Sequence, residues 1–286
     1  MEIKRVGVLG AGLMGAGIVQ AAAQVGLEVK MRDIEDRFLE KGMEGIKTSL
    51  GRFVKKEKIT QADADAAVSR IKVTTDLKEA ATDVDIVIEA IPEDFDLKKQ
   101  TYETIDKVCP AGVIFASNTS GLSITQMASC TGRADKFVGM HFFNPVPMMP
   151  LVEIVRGYAT SEETINVIRE LSTKMGKESI VVNDTPGFAT SRLIGVLQNE
   201  AIHAYAEGIA SAADIDKGMK LGMNHPMGPL ELADFVGLDT LLHVMENLYR
   251  EYGDTKYRPP LLLRQMVRAG HLGRKTGKGF YDYSKK

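Results

Sequence analysis

Two clusters of polar residues follow apolar, strand-like runs in the middle of the chain. NTSGLSIT follows the run GVIFAS, and HFFNPVP follows the run KFVGM. The second cluster begins with His141, and Glu153 lies twelve positions later, in the run PLVEIV. An imidazole titrates near neutrality, so it can accept a proton in one direction of a reaction and return it in the other. The pair is therefore a candidate acid–base catalyst.

The residue types leave two interpretations of His141 open. A carboxylate that accepts the second ring N–H of an imidazole fixes its tautomer and stabilises the imidazolium, as the aspartate of a catalytic triad does. A histidine beside an apolar run can equally be a core residue with its hydrogen bonds satisfied, and the residue types alone favour that interpretation. Both clusters follow strands, however, and doubly wound sheets bind ligands at the carboxyl ends of their strands.

A glycine-rich turn near the N-terminus predicts a dinucleotide site. GVLGAGLMGAG contains Gly10, Gly12 and Gly15 in GxGxxG spacing, after a strand and at the start of a helix. The first glycine permits the tight turn, the second lets the backbone approach a pyrophosphate, and the third lets helix and strand pack closely. A glycine-rich turn without a cofactor is the disfavoured alternative.

The second strand is expected to end at Asp33, eighteen positions after Gly15. A carboxylate at this place accepts hydrogen bonds from the adenine-ribose hydroxyl groups and repels a 2′-phosphate. We therefore predict NAD rather than NADP as the cofactor, although Arg32 beside it offers partial compensation for a 2′-phosphate.

The order of the elements predicts an α/β fold. Up to about residue 182, short apolar or β-branched runs alternate with segments of helical period, as in parallel-sheet units. The strand candidates are RVGVL, EVKMR, IKVTT, DIVIEA, GVIFAS, KFVGMH, LVEIV and SIVVN. The helical candidates are residues 14–25, 36–56, 60–70, 97–108 and 161–175, and Thr60 with Asp63 resembles a capping box. These elements predict a Rossmann-type, doubly wound, mostly parallel sheet.

The pattern changes after NDTPGF. From Gly187 onward the apolar residues show helical spacing only, broken by glycine and proline at HPMGP and RPP. We predict a domain boundary here, with residues 1–185 as the NAD-binding, Rossmann-type domain and residues 186–286 as an all-helical C-terminal domain.

The composition argues against several classes of protein. Of 286 residues, 36 are Lys or Arg and 38 are Asp or Glu, so the formal net charge is −2, with no general basic surface for nucleic acid or an anionic membrane. Only Cys109 and Cys130 occur, too few for a disulfide framework or a CxxC metal site, so we expect no metal. The first residues enter a strand at once, and no run has the apolar length of a membrane span. These features predict a cytoplasmic protein.

Several motifs, in this order and spacing, resemble the L-3-hydroxyacyl-CoA dehydrogenase family. They are GAGLMG, SNTS, HFFNPVP, DTPGF and GRKTGKGFYDY, and they extend over essentially the whole chain. The bacterial 3-hydroxybutyryl-CoA dehydrogenases are similar in length. The resemblance implies an NAD-dependent oxidoreductase that interconverts (S)-3-hydroxyacyl-CoA and 3-ketoacyl-CoA, with short chains such as 3-hydroxybutyryl-CoA and acetoacetyl-CoA preferred. It also implies a homodimer formed through the helical domain, which would contribute to substrate binding.

The resemblance assigns roles to individual residues. His141 falls on the family's proton-transferring histidine, Glu153 on its partner glutamate, and Ser120 on the serine that contacts the substrate oxygen. With the family in view, the acid–base interpretation of His141 becomes the preferred one. The positions that match cofactor contacts are Gly10, Gly12, Leu13, Met14, Gly15, Asp33, Glu93, Lys98, Ser120, Asn144 and Lys275. The positions that match substrate or CoA contacts are Ser49, Lys56, Ser120 and Ser191.

Several of these assignments have a plain structural alternative. The alternatives are a solvated helix face for Ser49 and Lys56, an acidic helix start at Glu93 followed by an exposed Lys98, a cap of the following helix for Ser120, a turn residue for Asn144, and a solvated basic tail for Lys275.

One position departs from the family pattern. The family carries an asparagine in the context TPGFxxNR, fifty positions beyond the histidine, whereas this chain reads TPGFATSRL with Ser191 at that place. A serine offers one hydroxyl group where an amide offers both a donor and an acceptor. We therefore expect the contact with substrate to be weaker, water-mediated or supplied by another residue.

Two other functions stay open on the sequence alone. A hydroxyacid dehydrogenase acting on a substrate without CoA would have a similar two-domain build, but such enzymes commonly rely on a lysine in place of a His–Glu pair. A non-catalytic, crystallin-like relative would share the fold, but Ser120, His141 and Glu153 are intact.

Overall fold

The computed structural model of the chain describes residues 1–284. The chain divides into two compact units, Met1–Thr185 and a second unit that begins at Pro186. The first unit is built on a mostly parallel sheet with helices, and the second is helical, so the predicted fold class is confirmed.

The eight strand candidates all form strands, and these join one sheet in the order β3-β2-β1-β4-β5-β6-β7-β8. Strands β1 to β6 pair in parallel, β7 pairs antiparallel with β6, and β8 pairs in parallel with β7. The strands are β1 (Arg5–Leu9), β2 (Glu28–Arg32), β3 (Ile71–Thr74), β4 (Ile86–Glu89), β5 (Ile114–Ser117), β6 (Phe137–Phe142), β7 (Leu151–Arg156) and β8 (Glu178–Asn183).

The reversal at β7 follows from a short connection. Residues 143–150 join β6 to β7, whereas a crossover between parallel strands needs about a dozen residues or more. The chain therefore turns back on itself, and β7 runs against β6. The alternation of elements predicted parallel units but did not reveal this reversal.

The central strands are buried on both faces. Every residue of β4 (IVIE), β5 (IFAS) and β6 (FVGMHF) is buried. Strands covered by helices on both faces form continuous apolar runs, which is the pattern seen in the sequence. The polar residues inside them, Glu89, Ser117 and His141, lie at or next to the carboxyl ends, and their burial is costly unless they form hydrogen bonds.

Seven helices accompany the sheet in the first unit. They are α1 (Leu13–Gln24), α2 (Asp36–Lys55), α3 (Gln61–Ser69), α4 (Leu77–Ala81), α5 (Phe95–Asp106), α6 (Ile124–Ala128) and α7 (Glu162–Lys174). The predicted capping box is confirmed, because Thr60 accepts from the backbone of Asp63 while the Asp63 carboxylate accepts from the backbone of Thr60. The five-residue helices α4 and α6 were not predicted, because so short a segment shows no period.

Residues 186–284 of the second unit form five α-helices. They are α8 (Thr190–Ala206), α9 (Ala212–Gly222), α10 (Pro229–Val236), α11 (Leu238–Tyr252) and α12 (Leu261–Arg268). Their buried faces share one apolar core that includes Ile202, Leu230 and Leu248. Among residues 1–284, none of the helices combines the length and the apolar character needed to cross a bilayer.

Candidate active site

His141 and Glu153 are paired residues of the antiparallel strands β6 and β7. Side chains at directly paired positions lie on the same face of a sheet. Their imidazole Nδ1 and carboxylate Oε2 are 2.7 Å apart, the His141 side chain is 6% exposed and Glu153 is fully buried. Two rungs along, Gly139 pairs with Val155, and a methyl group added at Gly139 would lie 2.5 Å from the Val155 Cβ. The strands therefore approach closely beside the pair.

Ser120 completes a chain of three polar side chains. Its Oγ lies 3.1 Å from the second ring nitrogen, His141 Nε2. Asn118, two residues earlier, accepts the backbone N–H of Phe142 at 2.9 Å, so the turn that carries the serine is tied to the strand that carries the histidine. The alternative role of Ser120 as a helix cap is wrong, because Ser123 caps α6 by accepting from the N–H of Gln126.

The hydrogen bonds set the protonation pattern of the imidazole. A carboxylate oxygen only accepts, so Nδ1 carries the proton it donates to Glu153. Nε2 then holds a lone pair, and the Ser120 hydroxyl donates to it. The ring also lies against Phe143, with 4.7 Å between the ring centres. An imidazole held in this tautomer can accept one proton at Nε2, and the buried carboxylate then stabilises the positive charge of the ring.

The glycine-rich turn has the geometry that a pyrophosphate needs. Gly10 has a φ of 105°, and a side chain there would meet the carbonyl oxygen of Ala90. A methyl group at Gly15 would lie 1.9 Å from the carbonyl oxygen of Gly10. Gly12, by contrast, faces open space and begins α1 without a side-chain cap, so the first N–H groups of the helix are available to an anion.

Asp33 lies beside this turn. Strand β2 ends at Arg32, so Asp33 is the first residue after the strand rather than its last residue. One carboxylate oxygen accepts the N–H of Ala11 and the other accepts the N–H of Ile34, both at 2.7 Å. The Arg32 Nε donates to the carbonyl oxygen of Thr75. The turn, the helix start and this carboxylate together fit a dinucleotide with a free 2′-hydroxyl.

Glu93 and Lys98 belong to a buried ionic cluster. Lys98 is 1% exposed, so the alternative that it is an exposed surface lysine is wrong. Its ammonium lies 2.6 Å from Glu89 and 3.2 Å from Glu93. Burial raises the pKa of Glu93, but the Lys98 ammonium and hydrogen bonds from Thr119 and Ser120 outweigh it, so the pKa lies below its usual range. Glu93 is therefore an anion at neutral pH.

The remaining predicted residues of the first unit lie on α1, on α2 and in the β6–β7 connection. Leu13 and Met14 form the first turn of α1, and Leu13 is exposed. Asn144 is exposed and precedes Pro145 in the β6–β7 connection. Ser49 is half-buried on α2, and Lys56, the exposed C-cap residue of that helix, lies two turns further on the same face.

Ser191 and Lys275 belong to the second unit. Ser191 lies in the first turn of α8 and is half-buried. Lys275 lies in a short 3-10 helix, Arg274–Thr276, and its ammonium is 2.7 Å from the carboxylate of Asp239. Lys275 is exposed, so the alternative of a solvated basic residue stays open, although its ammonium has an ionic partner within its own unit.

Two residues of the site were missed from the sequence. Asn118 lies inside the quoted SNTS motif, and Glu89 ends the strand β4. Both are polar residues at a carboxyl end of a buried strand, which is the same signal that singled out Ser120 and His141. Applied to every central strand, that signal would have identified them.

Comparison with known proteins matches both units. The family model "3-hydroxyacyl-CoA dehydrogenase, NAD binding domain" matches residues 5–185, and "3-hydroxyacyl-CoA dehydrogenase, C-terminal domain" matches residues 187–283. The chain is 50% identical over 286 residues to a probable 3-hydroxybutyryl-CoA dehydrogenase of Bacillus subtilis, which covers 100% of this chain and 99% of that protein. It is 45% identical over 281 residues to the 3-hydroxybutyryl-CoA dehydrogenase of Clostridioides difficile, with 98% and 100% covered.

A solved structure gives the same result. The (S)-3-hydroxybutyryl-CoA dehydrogenase of Ralstonia eutropha superposes with a TM-score of 0.96 at 53% identity, and the match covers 99% of this chain and 100% of that one. The predictions of NAD as cofactor and of an enzyme are confirmed, and the non-catalytic alternative is not supported. The chain belongs to the 3-hydroxyacyl-CoA dehydrogenase family, close to the bacterial 3-hydroxybutyryl-CoA dehydrogenases, and is an NAD-dependent oxidoreductase.

Proposed function

We propose that this enzyme interconverts (S)-3-hydroxybutyryl-CoA and acetoacetyl-CoA, with His141 and Glu153 as its acid–base pair. The observation that supports the proposal is the hydrogen-bonded series Ser120, His141 and Glu153, with distances of 3.1 Å and 2.7 Å. The substrate is proposed from that of relatives named 3-hydroxybutyryl-CoA dehydrogenase, which are 45–53% identical over almost the whole chain.

In the oxidative direction His141 acts as the base. Its Nε2 takes the proton of the substrate's 3-hydroxyl group while the C3–O bond becomes a carbonyl. The imidazolium that forms donates from Nδ1 to Glu153, whose buried carboxylate stabilises the positive charge. Ser120, which donates to Nε2 before substrate binds, then hydrogen-bonds the reacting oxygen and holds it beside the histidine. In the reductive direction the same nitrogen returns the proton.

The first unit would hold the cofactor through three groups of this chain. The N–H groups at the start of α1, beside Gly12, would bind the pyrophosphate, and Leu13 and Met14 would lie next to it. Asp33 would accept from the adenine-ribose hydroxyl groups through the lone pairs that its two backbone contacts leave over. With NAD held there, the cofactor would supply a hydride acceptor for the substrate's C3, and in its reduced form a hydride donor.

Residues around the site would complete the cofactor and substrate contacts. Glu93, Lys98, Asn144 and Lys275 are proposed for the cofactor. Lys98 would act through Glu93, since its ammonium is buried against that carboxylate. Ser49 and Lys56 would bind the CoA moiety, because both lie on one face of α2 and a hydroxyl and an ammonium group suit phosphate oxygens. Ser191 is proposed for the substrate.

We further propose the cytoplasm as the enzyme's location and a homodimer as its state in solution. The two domains of the enzyme would be residues 1–185 for the cofactor and 186–286 for substrate and dimerisation. Large apolar side chains are exposed on the second unit, among them Leu193, Leu221 and Met223, each more than 60% exposed, and a surface of this kind suits association with a second copy. Both cysteines are free thiols, as in a reducing compartment.

The test is a comparison of substrates with purified enzyme. Oxidation of NADH is followed with acetoacetyl-CoA, with longer 3-ketoacyl-CoA esters and with free acetoacetate, and NADPH replaces NADH in a parallel series. We expect acetoacetyl-CoA with NADH to give the highest kcat/KM. Comparable turnover of free acetoacetate would favour the alternative of a hydroxyacid dehydrogenase without CoA, and a higher kcat/KM for the longer esters would refute the short-chain assignment.

A further inference from the structure

A fully buried carboxylate ends strand β4, beside the reacting groups but without contact to them. Glu89 Oε1 accepts from the Lys98 ammonium at 2.6 Å and from the backbone N–H of Ile91 at 2.8 Å. Its Oε2 accepts from the Ser117 hydroxyl at 2.7 Å and from the Tyr102 hydroxyl at 3.4 Å. These four hydrogen bonds engage both oxygens of the carboxylate.

Lys98 connects this carboxylate to a second one. Its ammonium lies 3.2 Å from Oε2 of Glu93, while it holds Glu89 at 2.6 Å. The other oxygen of Glu93 accepts three hydrogen bonds, from the Thr119 hydroxyl at 2.5 Å, the Ser120 N–H at 3.0 Å and the Gly121 N–H at 3.1 Å. The backbone of the catalytic serine is therefore held by a carboxylate that is itself held by a buried lysine.

Glu89 also fixes the other end of the same turn. Ser117, which is paired with Glu89 across β4 and β5, begins the turn and donates its hydroxyl to the carboxylate. The Ser117 oxygen in turn accepts the N–H of Thr119. Residues 117–121 are thus held at the start directly by Glu89 and at the end through Lys98 and Glu93.

The cost of this arrangement argues for a role beyond stability. Burial of Glu89 and Lys98, 0% and 1% exposed, removes two charges from water. Well-packed apolar side chains of similar volume stabilise a fold as well as a buried ion pair does, and often better. What apolar side chains cannot do is accept directional hydrogen bonds from a turn.

We propose that Glu89 is a positioning residue for the reaction, which acts through Lys98 and Glu93 to set the place of Ser120 against His141. The inference rests on the proposed roles of Ser120 and His141. The Ser120 hydroxyl lies 3.1 Å from His141 Nε2, and a displacement of about 1 Å at a reacting group costs on the order of 100-fold in rate.

The test uses Glu89→Gln, which keeps the shape of the side chain and removes its charge. Asp106→Asn is the matched control. Asp106 also pairs with a buried cation, Arg133, and it lies at the far end of α5, the helix that carries Lys98. For each variant, kcat and KM for acetoacetyl-CoA, the Kd for NADH and the Tm are measured. Hydrogen exchange of the peptide that covers residues 117–123 reports the turn independently of activity.

Glu89→Gln is expected to lower kcat by about 10- to 100-fold and to speed exchange in the 117–123 peptide, and the NADH Kd reports any accompanying shift of Glu93. Asp106→Asn is expected to change neither kcat nor that exchange. In a Ser120→Ala background, Glu89→Gln is expected to have little further effect on kcat, because the Ser120 hydroxyl group that Glu89 positions is already absent. Fully additive losses would refute the proposal, and so would unchanged exchange in the 117–123 peptide.

A second variant separates positioning from folding. Glu89→Gln with Lys98→Met removes both fully buried charges and leaves Glu93, whose side chain is 37% exposed and accepts three hydrogen bonds from the turn, so the Tm is expected to recover in part. The kcat is expected to stay low, because Glu93 has then lost the ammonium that holds its other oxygen. Recovery of kcat together with Tm would show a merely structural role. Absence of acetoacetyl-CoA turnover in the parent enzyme would instead contradict the proposed function, and the exchange measurement would still decide whether Glu89 positions the turn.

Discussion

His141 and Glu153 lie opposite each other on antiparallel strands, and their hydrogen bond spans 2.7 Å inside the sheet. Twelve residues separate them along the chain, yet the strand register alone places them on one face. The imidazole is thereby held by regular backbone pairing and not by loop packing. The pair is the best-supported part of the proposed mechanism, and its two members make separate predictions.

Replacement of His141 by alanine removes the proposed base. We expect kcat to fall by at least about 100-fold, since general acid–base catalysis contributes roughly 10²–10⁴-fold. His243→Ala changes an exposed histidine of α11 and serves as the control. Steady-state oxidation of NADH by acetoacetyl-CoA measures both. A His141 variant with near-normal kcat would exclude this residue as the base.

Glu153→Gln keeps the size of the side chain and removes its charge. Because the buried carboxylate would no longer stabilise the imidazolium, we expect kcat to fall by about ten-fold or more and its dependence on pH to change. Rate measurements between pH 5 and pH 10, with the Tm as a check on folding, test this. If kcat fell while its pH profile kept its shape and position, Glu153 would have only a structural role.

Asp33→Ser tests the choice between NAD and NADP. Removal of a carboxylate beside the proposed ribose site ends its repulsion of a 2′-phosphate, so the ratio of kcat/KM for NADPH to that for NADH should rise by about ten-fold or more. Glu35→Gln, an exposed carboxylate two residues away that pairs with Arg37, is the control. An unchanged ratio in Asp33→Ser would place the ribose elsewhere.

Ser191→Asn restores the residue that the family pattern carries. An amide offers a donor and an acceptor where the serine offers one hydroxyl group, so the KM or kcat for acetoacetyl-CoA should change while the KM for NADH stays constant. Saturation kinetics with each substrate in turn provide the measurement. If neither the KM nor the kcat for acetoacetyl-CoA changed, Ser191 would not belong to the substrate site.

The two cysteines should differ sharply in reactivity. Cys109 is buried and donates its thiol to the carbonyl oxygen of Ala81, and burial raises the pKa of Cys109 to about 11. At pH 8 only about one Cys109 in a thousand is then a thiolate, and this fraction rises about ten-fold per pH unit. A thiol reagent at pH 8 should label one thiol per native chain quickly, and Cys130→Ser should abolish that fast phase. Two equally fast thiols would contradict the burial of Cys109.

The sequence predicted the regular elements well because their signals are local. Every strand run and the five helical candidates of the first unit appear near their expected places, since burial on two faces leaves continuous apolar runs and amphipathic helices leave a period. The reversal of β7 could not be predicted from the hydrophobic period, because an apolar run has the same pattern in a parallel and in an antiparallel strand. The helices α4 and α6 were missed because five residues are too few to show a period.

The site was only partly accessible from the sequence. Ser120 and His141 follow strands, so topology predicts a shared edge, but only strand register brings Glu153 against the imidazole. Lys98 shows the limit most clearly. A lysine that follows acidic residues is typically a surface residue. Lys98 is instead buried, because the carboxylates of Glu89 and Glu93 both pair with its ammonium. Pairing that depends on how a strand, a turn and a helix are arranged leaves no trace in local composition.

The short connection between β6 and β7, residues 143–150, has a consequence for how enzymes of this build can diversify. Because the hydrogen bonds between β6 and β7 keep His141 and Glu153 in register, the part of the connecting loop beyond Phe143 and Asn144 could change in length without disturbing the pairing of these two residues. A single residue gained or lost within either strand, by contrast, would turn one partner to the opposite face. Insertions could then occur in the loop but not in the strands, and the substrate preference could change while the reaction stayed the same.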